Sequence, residues 1–238
     1  MKIQPIIMVL ADISGYTRFI RYHRVSLIHA EKIITELLES VIASSSTPLI
    51  LHELEGDAVT FYAIDDGNTS CGREVFRQVQ SFFTAFRKRE GELISECSLC
   101  ECDACNLVGQ LKIKVVIHKG EAVFIRLRQF TKIAGEDVIL AHRLLKNSVP
   151  SNEYILMTEP FIEATPSLKE LPLEPRTEQI KGLDNIPVYV LSFNQMSPVE
   201  KIGRSLLNKI IMTIKNEVYL VKRLLVRSRK KYKSLQDV

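Results

Sequence analysis

The chain opens with alternation that runs into the apolar string IIMVL, so residues 3 to 13 read as a central strand that ends at Asp12. From Tyr16 to about Ala43, Phe19, Ile20, Leu27, Ile33, Ile34, Leu37, Leu38, Val41 and Ile42 recur at helical spacing, with a break near His23 to Ser26. That pattern predicts a short helix and then a longer one, closed by the polar cluster from Ser44 to Pro48. LILHELE and AVTFYAI follow as two strands joined at Gly56 and Asp57, a hairpin. A helix is expected over about Ser70 to Arg89, burying Val75, Phe76, Val79, Phe82, Phe83 and Phe86. LKIKVVIH and EAVFIRL read as a second hairpin turning at Lys119 and Gly120. A helix over Gly135 to Asn147, a strand EYILMT, a short helix with Pro160 in its first turn, an irregular or edge segment SLKELPLEPR and a closing strand IPVYVLSF complete the set. Strands of this order with helices between them predict an α+β, ferredoxin-like, antiparallel-rich sheet backed by helices.

After Pro198 the period changes. Val199, Ile202, Leu206, Ile210, Ile214, Val218, Val221 and Leu225 form one stripe near a 3.5 spacing, which predicts a long amphipathic helix ending in RSRKKYK. The expected division is therefore a domain over 1–194 with a cysteine-rich insertion at 97–105, and a basic tail over 195–238. Charge sharpens this picture. Of 32 Lys and Arg and 28 Asp and Glu, the stretch from Met196 onward holds 11 and 3, which leaves 21 against 25 in the body. A basic segment on an acidic body points to packing on its own domain, to dimerisation, or to an acidic partner such as an anionic membrane surface or nucleic acid. At 46% hydrophobic content the chain can bury a sizeable core, and no apolar run reaches the roughly 18 residues of a spanning helix. The N-terminus starts on a strand pattern instead of a signal peptide, so the expected location is cytoplasmic, with the tail as the element that would bring it to a membrane.

Two places carry candidate chemistry. Asp12 ends one strand and Asp57 sits in a Gly-Asp turn, so two carboxylates can meet at the edge of one sheet, as a phosphate-bound divalent ion requires. Taken singly, Asp57 is also an ordinary turn residue and Asp12 a helix cap. The second place is SECSLCECDACNL, where Cys97, Cys100, Cys102 and Cys105 fall in the pattern C-x2-C-x-C-x2-C. In a cytoplasmic chain this favours a metal over disulfides, with structural zinc first, an iron–sulfur cluster second, and free or redox-active thiols as the remaining reading. Cys71 lies apart at a helix start.

Five strings in order across roughly residues 5 to 193 resemble the class III nucleotide cyclase homology domain of adenylyl and guanylyl cyclases: ADISGYTRF, LEGDAVTFYA, VVIHKGEAVF, IAGEDVILAHRL and IKGLDNIPVYVL. The resemblance implies that Asp12 and Asp57 bind two Mg²⁺ or Mn²⁺ ions. It implies attack of a 3′-hydroxyl on the α-phosphorus of a nucleoside triphosphate, giving a 3′,5′-cyclic nucleotide and pyrophosphate. It also implies a head-to-tail homodimer in which the aspartates of one copy face Glu53, Lys132 and Arg143 of the other. Arg143 takes the place of the transition-state arginine. Glu53 takes the base-selecting place, where a carboxylate suits guanine, or it pairs with Lys132 across the interface. Lys132 is neither the usual aspartate nor the usual cysteine, so the base stays open. Lys181 fits a phosphate-contacting lysine or a surface lysine. The departure is Ile139, where the family has asparagine for a ribose oxygen; the neighbouring His142 points roughly 100° away from Arg143 around the helix. The alternative implied by Ile139 and Lys132 is a weak or inactive homologue that binds a nucleotide or a partner. A related phosphotransfer enzyme is a third reading, on fold analogy.

Overall fold

The computed structural model describes residues 2–20, 24–97, 100, 102–183 and 185–193. The tail expected after Pro198 lies outside the described residues. An eight-stranded sheet runs in the order β2-β3-β1-β4-β6-β8-β7, with β5 paired to β4 beyond this path. Its strands are β1 (Lys2–Ser14), β2 (Ile50–Glu55), β3 (Ala58–Ile64), β4 (Lys112–Leu127), β5 (Phe130–Ala134), β6 (Tyr154–Thr158), β7 (Glu174–Gln179) and β8 (Asn185–Ser192). All pairings are antiparallel except β4 with β6. The helices are α1 (Tyr16–Ile20), α2 (Arg24–Ala43), α3 (Thr69–Glu96), α4 (Asp103–Leu107), α5 (Glu136–Leu144) and α6 (Glu159–Ala164).

The apolar run of β1 is explained by burial on both faces. Ile7, Val9, Ala11 and Ile13 join a core that takes in Ile33, Leu37 and Val41 of α2 and Val79, Phe82, Phe83 and Phe86 of α3. Ile6, Met8 and Leu10 point the other way, into a smaller core closed by Ala141 and Leu144 of α5 with Tyr154 and Leu156. Strand alternation carries Asp12 onward along this second row, on the α5 side. The sheet is thus covered by α2 and α3 on one face and by α5 on the other.

Two expectations need correcting. Helix α3 does not stop near Arg89 but continues through Gly91 to Glu96. Leu93 is buried in the main core, Glu90 meets Lys112 at 2.7 Å, and Arg89 bridges to Glu36 of α2 and to Glu96, so tertiary contacts outweigh the cost of one helical glycine. The Lys119–Gly120 hairpin is absent as well. β4 runs unbroken through both residues and pairs with β1 from Lys2↔Phe124 to Ser14↔Lys112, and the chain turns at Arg128 and Gln129 instead.

Gly120 is needed for closeness, not for turning. A Cβ there would stand 2.2 Å from Asp137 Cγ. Asp137 cannot swing aside freely, because its carboxylate accepts from Glu121 N at 2.7 Å and meets His118 Nε2 at 3.0 Å. Gly120→Ala should therefore cost about 1–3 kcal/mol by overpacking, read as a lower urea midpoint. An unchanged midpoint would contradict this packing.

Candidate active site at the end of strands β1 and β3

The hairpin register places Ala58 opposite Asp12, and Ile13 N donates to Asp57 O at 3.1 Å, so the Gly56–Asp57 turn is fastened to the end of β1. Gly56 has φ 60, which a side-chain-bearing residue adopts only at a cost. Asp12 is not a helix cap: it lies within β1, and its Oδ2 takes Lys114 Nζ at 3.0 Å. Lys114 is the cross-strand partner of Asp12 on β4, and its ammonium also donates to Leu145 O at the end of α5, 2.8 Å away.

Asp57 is half-buried, and its carboxyl is pushed up to about 6, first by burial and then by the charge of Asp12, with Lys114 offsetting part of this. The two carboxylates thus repel each other, and the Lys114 ammonium offsets only part of this. Tyr16, the first residue of α1, is a further neighbour. Burial raises its hydroxyl first, and the charges of Glu31 and Asp57 add to this; the hydroxyl donates to Glu31. A cavity of about 340 Å³ opens beside Ser14 and Gly15, with Leu107 and Gln110 on its far wall.

The other expected residues lie on separate elements. Arg143 is exposed in the last turn of α5 and donates from Nη1 to Lys181 O at 2.6 Å, which ties it to the turn before β8. Ile139 sits one turn earlier on the same helical face and is 53% exposed, an apolar side chain beside a cation. Glu53 is exposed on β2 just after a register shift, opposite Thr60. Lys132 is exposed on β5, opposite Ile125. His142 lies close enough to His52 of β2 to add, after burial, to the depression of the His52 pKa.

Cys100, Cys102 and Cys105 do gather, but with His29 of α2. Cys97 is buried at the end of α3 next to Cys105. Lys114, Tyr16 and His29 were not singled out from the sequence. Lys114 acquires its role only from the β1–β4 register, and the two others from helix packing.

The raised carboxyl gives an expected result. A folded-state value near 6 lies above the ordinary 3.8, so the folded chain holds a proton more tightly between these values. The penalty from the Asp57 charge therefore appears as pH rises through this window and is complete by about pH 7. The full shift would correspond to about 3 kcal/mol, which half exposure reduces to about 1–2 kcal/mol. Asp57→Asn should stabilise the cation-free protein by that amount at pH 7.5 and leave it unchanged at pH 3.5. Equal stabilities at pH 7.5 would contradict the charge crowding.

A family model described as a protein of unknown function, DUF2652, matches residues 34–154. An uncharacterized protein of Mycobacterium tuberculosis, Rv2561/Rv2562, is 36% identical over 153 residues, covering 63% of this chain and 68% of that protein. The chain belongs to the DUF2652 family. Solved structures similar to this DUF2652 member include the adenylyl cyclase CyaB from P. aeruginosa, with TM-score 0.61 and 14% identity over 85% of this chain and 98% of that one. The guanylyl cyclase Cya2 gives TM-score 0.57 and 16% identity over 79% and 92% of the two chains. The guanylate cyclase domain of RhGC from Catenaria anguillulae, solved in complex with GTP, gives 0.52 and 12% over 81% and 99%. At these identities the likeness shows the fold: this DUF2652 chain has the α+β architecture of nucleotide cyclase domains. Among the described residues no helix is long and apolar enough to cross a membrane.

Proposed function

We propose that this protein is a nucleotide cyclase-like enzyme that converts a nucleoside triphosphate to a 3′,5′-cyclic nucleotide and pyrophosphate as a homodimer in the cytoplasm. The observation that carries the reading is the placement of Asp57 in the turn next to Ala58, the cross-strand partner of Asp12, with the Asp57 carboxyl raised by burial and by the charge of Asp12. Such a donor set fits Mg²⁺ or Mn²⁺, hard ions that take one or two carboxylates and leave room for phosphate oxygens. When bound, the ions would neutralise triphosphate charge and lower the pKa of the attacking 3′-hydroxyl. Asp12 and Asp57 would hold them, and Lys114 keeps Asp12 oriented. Arg143, anchored through Lys181 O, would present a fixed cation to the charge developing on the phosphate of the partner copy's nucleotide. Glu53 and Lys132 are assigned to the base, and Lys181 to a phosphate.

Ile139 supports a second reading, a regulatory homologue that binds a nucleotide without turning it over, because this exposed side chain has no donor for a ribose oxygen. The test is incubation of the full chain with ATP, GTP, CTP or UTP and Mn²⁺ or Mg²⁺, followed by chromatography for cyclic product and a pyrophosphate assay. A cyclic nucleotide with equimolar pyrophosphate is expected from at least one triphosphate. Binding without product from any of them would favour the second reading.

A further inference from the structure

We propose that His29, Cys100, Cys102 and Cys105 bind one structural zinc ion that ties α2 to the connection between α3 and β4, while Cys97 remains a neighbouring thiol outside the ligand set. The inference stands apart from the cyclase reading, since none of these residues belongs to the proposed nucleotide site.

The geometry around one nitrogen carries it. His29 Nδ1 lies 3.1 Å from Cys102 Sγ, 3.6 Å from Cys100 Sγ and 3.7 Å from Cys105 Sγ. A ring nitrogen carries either one proton or one lone pair, so it can satisfy one hydrogen bond and not three. Ligands that share a tetrahedral zinc, with Zn–S about 2.3 Å and Zn–N about 2.0–2.1 Å, stand about 3.5 Å apart in N···S distance. The four donor atoms all lie within 4.8 Å of one another. The local backbone agrees: Cys102 Sγ accepts from Cys105 N at 3.4 Å, the turn of a metal knuckle, with Cys102 opening α4. His29 and Cys105 are buried, which favours a closed structural site over an open catalytic one.

Two Cys pairs separated by one residue leave little chain to wrap an ion, and a fourth ligand from another helix relieves this. Charge argues in the same direction. Three thiolates and a neutral imidazole leave zinc at a formal −1, whereas a fourth thiolate from the buried Cys97 in place of His29 would give −2. The staple also bears on the cavity beside Ser14 and Gly15, because Leu107 at the end of α4 forms part of its wall.

Zinc X-ray absorption on the zinc-reconstituted full chain tests this without any variant. Three sulfurs at about 2.3 Å and one nitrogen at about 2.0–2.1 Å are expected. In competition with a chromogenic chelator, wild type and Cys97→Ser should each hold about one zinc per chain. His29→Ala and Cys102→Ser should lose more than about 100-fold in affinity, beyond the 10–100-fold typical of an outer-shell partner. A four-sulfur shell, zinc loss in Cys97→Ser with retention in His29→Ala, or a folded wild-type chain that takes up no zinc would each overturn the proposal.

Discussion

Asp57→Asn is expected to lower cyclic-nucleotide formation by about 10³-fold or more while leaving a protein more stable than wild type in the absence of divalent cation. The loss follows from the role proposed for the carboxylate pair. Charge stabilisation by bound divalent ions is worth several kcal/mol, and each 1.36 kcal/mol is a factor of ten in rate. The gain in stability follows from removing a carboxyl that burial and Asp12 push up to about 6. This opposition gives the test its force, because a substitution that inactivated by unfolding would lower both quantities together. Asp12→Asn should also inactivate, but it leaves Lys114 without its ion pair and so should not stabilise. Stability from urea unfolding in EDTA and product formation in Mn²⁺ measure the two effects separately. Turnover of Asp57→Asn within tenfold of wild type would remove the aspartate pair from the mechanism.

The second large effect is expected at Ile139. This side chain is 53% exposed on the face of α5 that carries Arg143. Asparagine at this position would place an amide one helical turn from the guanidinium, where the resemblance puts a contact to ribose. Removing one preorganised donor from such a site commonly costs about 10²–10³-fold, so Ile139→Asn should raise turnover by a comparable factor. Because residue 139 is exposed, the exchange buries no polar group and should change stability by no more than about 0.5 kcal/mol. An increase confined to kcat would mark a contact made in the transition state, and an equal fall in KM alone would mark uniform binding. No change in either parameter would mean that the position does not face the nucleotide.

Much of the fold was legible because the strongest signals in the chain are local. IIMVL is apolar on both faces because β1 lies between two helical layers, and Gly56–Asp57 turns where two strand patterns meet. Gly120 misled because a glycine tolerated for close approach and one required for a turn look alike in sequence. Only the packing of Asp137 against β4 separates them. The candidate site was legible in part for a similar reason. Asp12 and Asp57 announce themselves by their places at strand ends, whereas Lys114 becomes the partner of Asp12 only once β1 and β4 are in register. His29 was hidden further, since it meets Cys102 across 73 positions of sequence through the packing of α2 on α4. Ordinary pattern reading sees a lone histidine in an amphipathic helix.

A divalent-cation site at Asp12 and Asp57 is tested more directly by binding than by turnover. Electron paramagnetic resonance of free Mn²⁺, titrated with the full chain in the presence of a non-hydrolysable nucleoside triphosphate, reports bound ion with no chemistry required. Wild type should bind Mn²⁺ in a nucleotide-dependent manner, and Asp12→Asn and Asp57→Asn should each weaken this by at least tenfold, as expected when one of two ligand carboxylates is removed. Equal Mn²⁺ binding by wild type and both variants would contradict the claim.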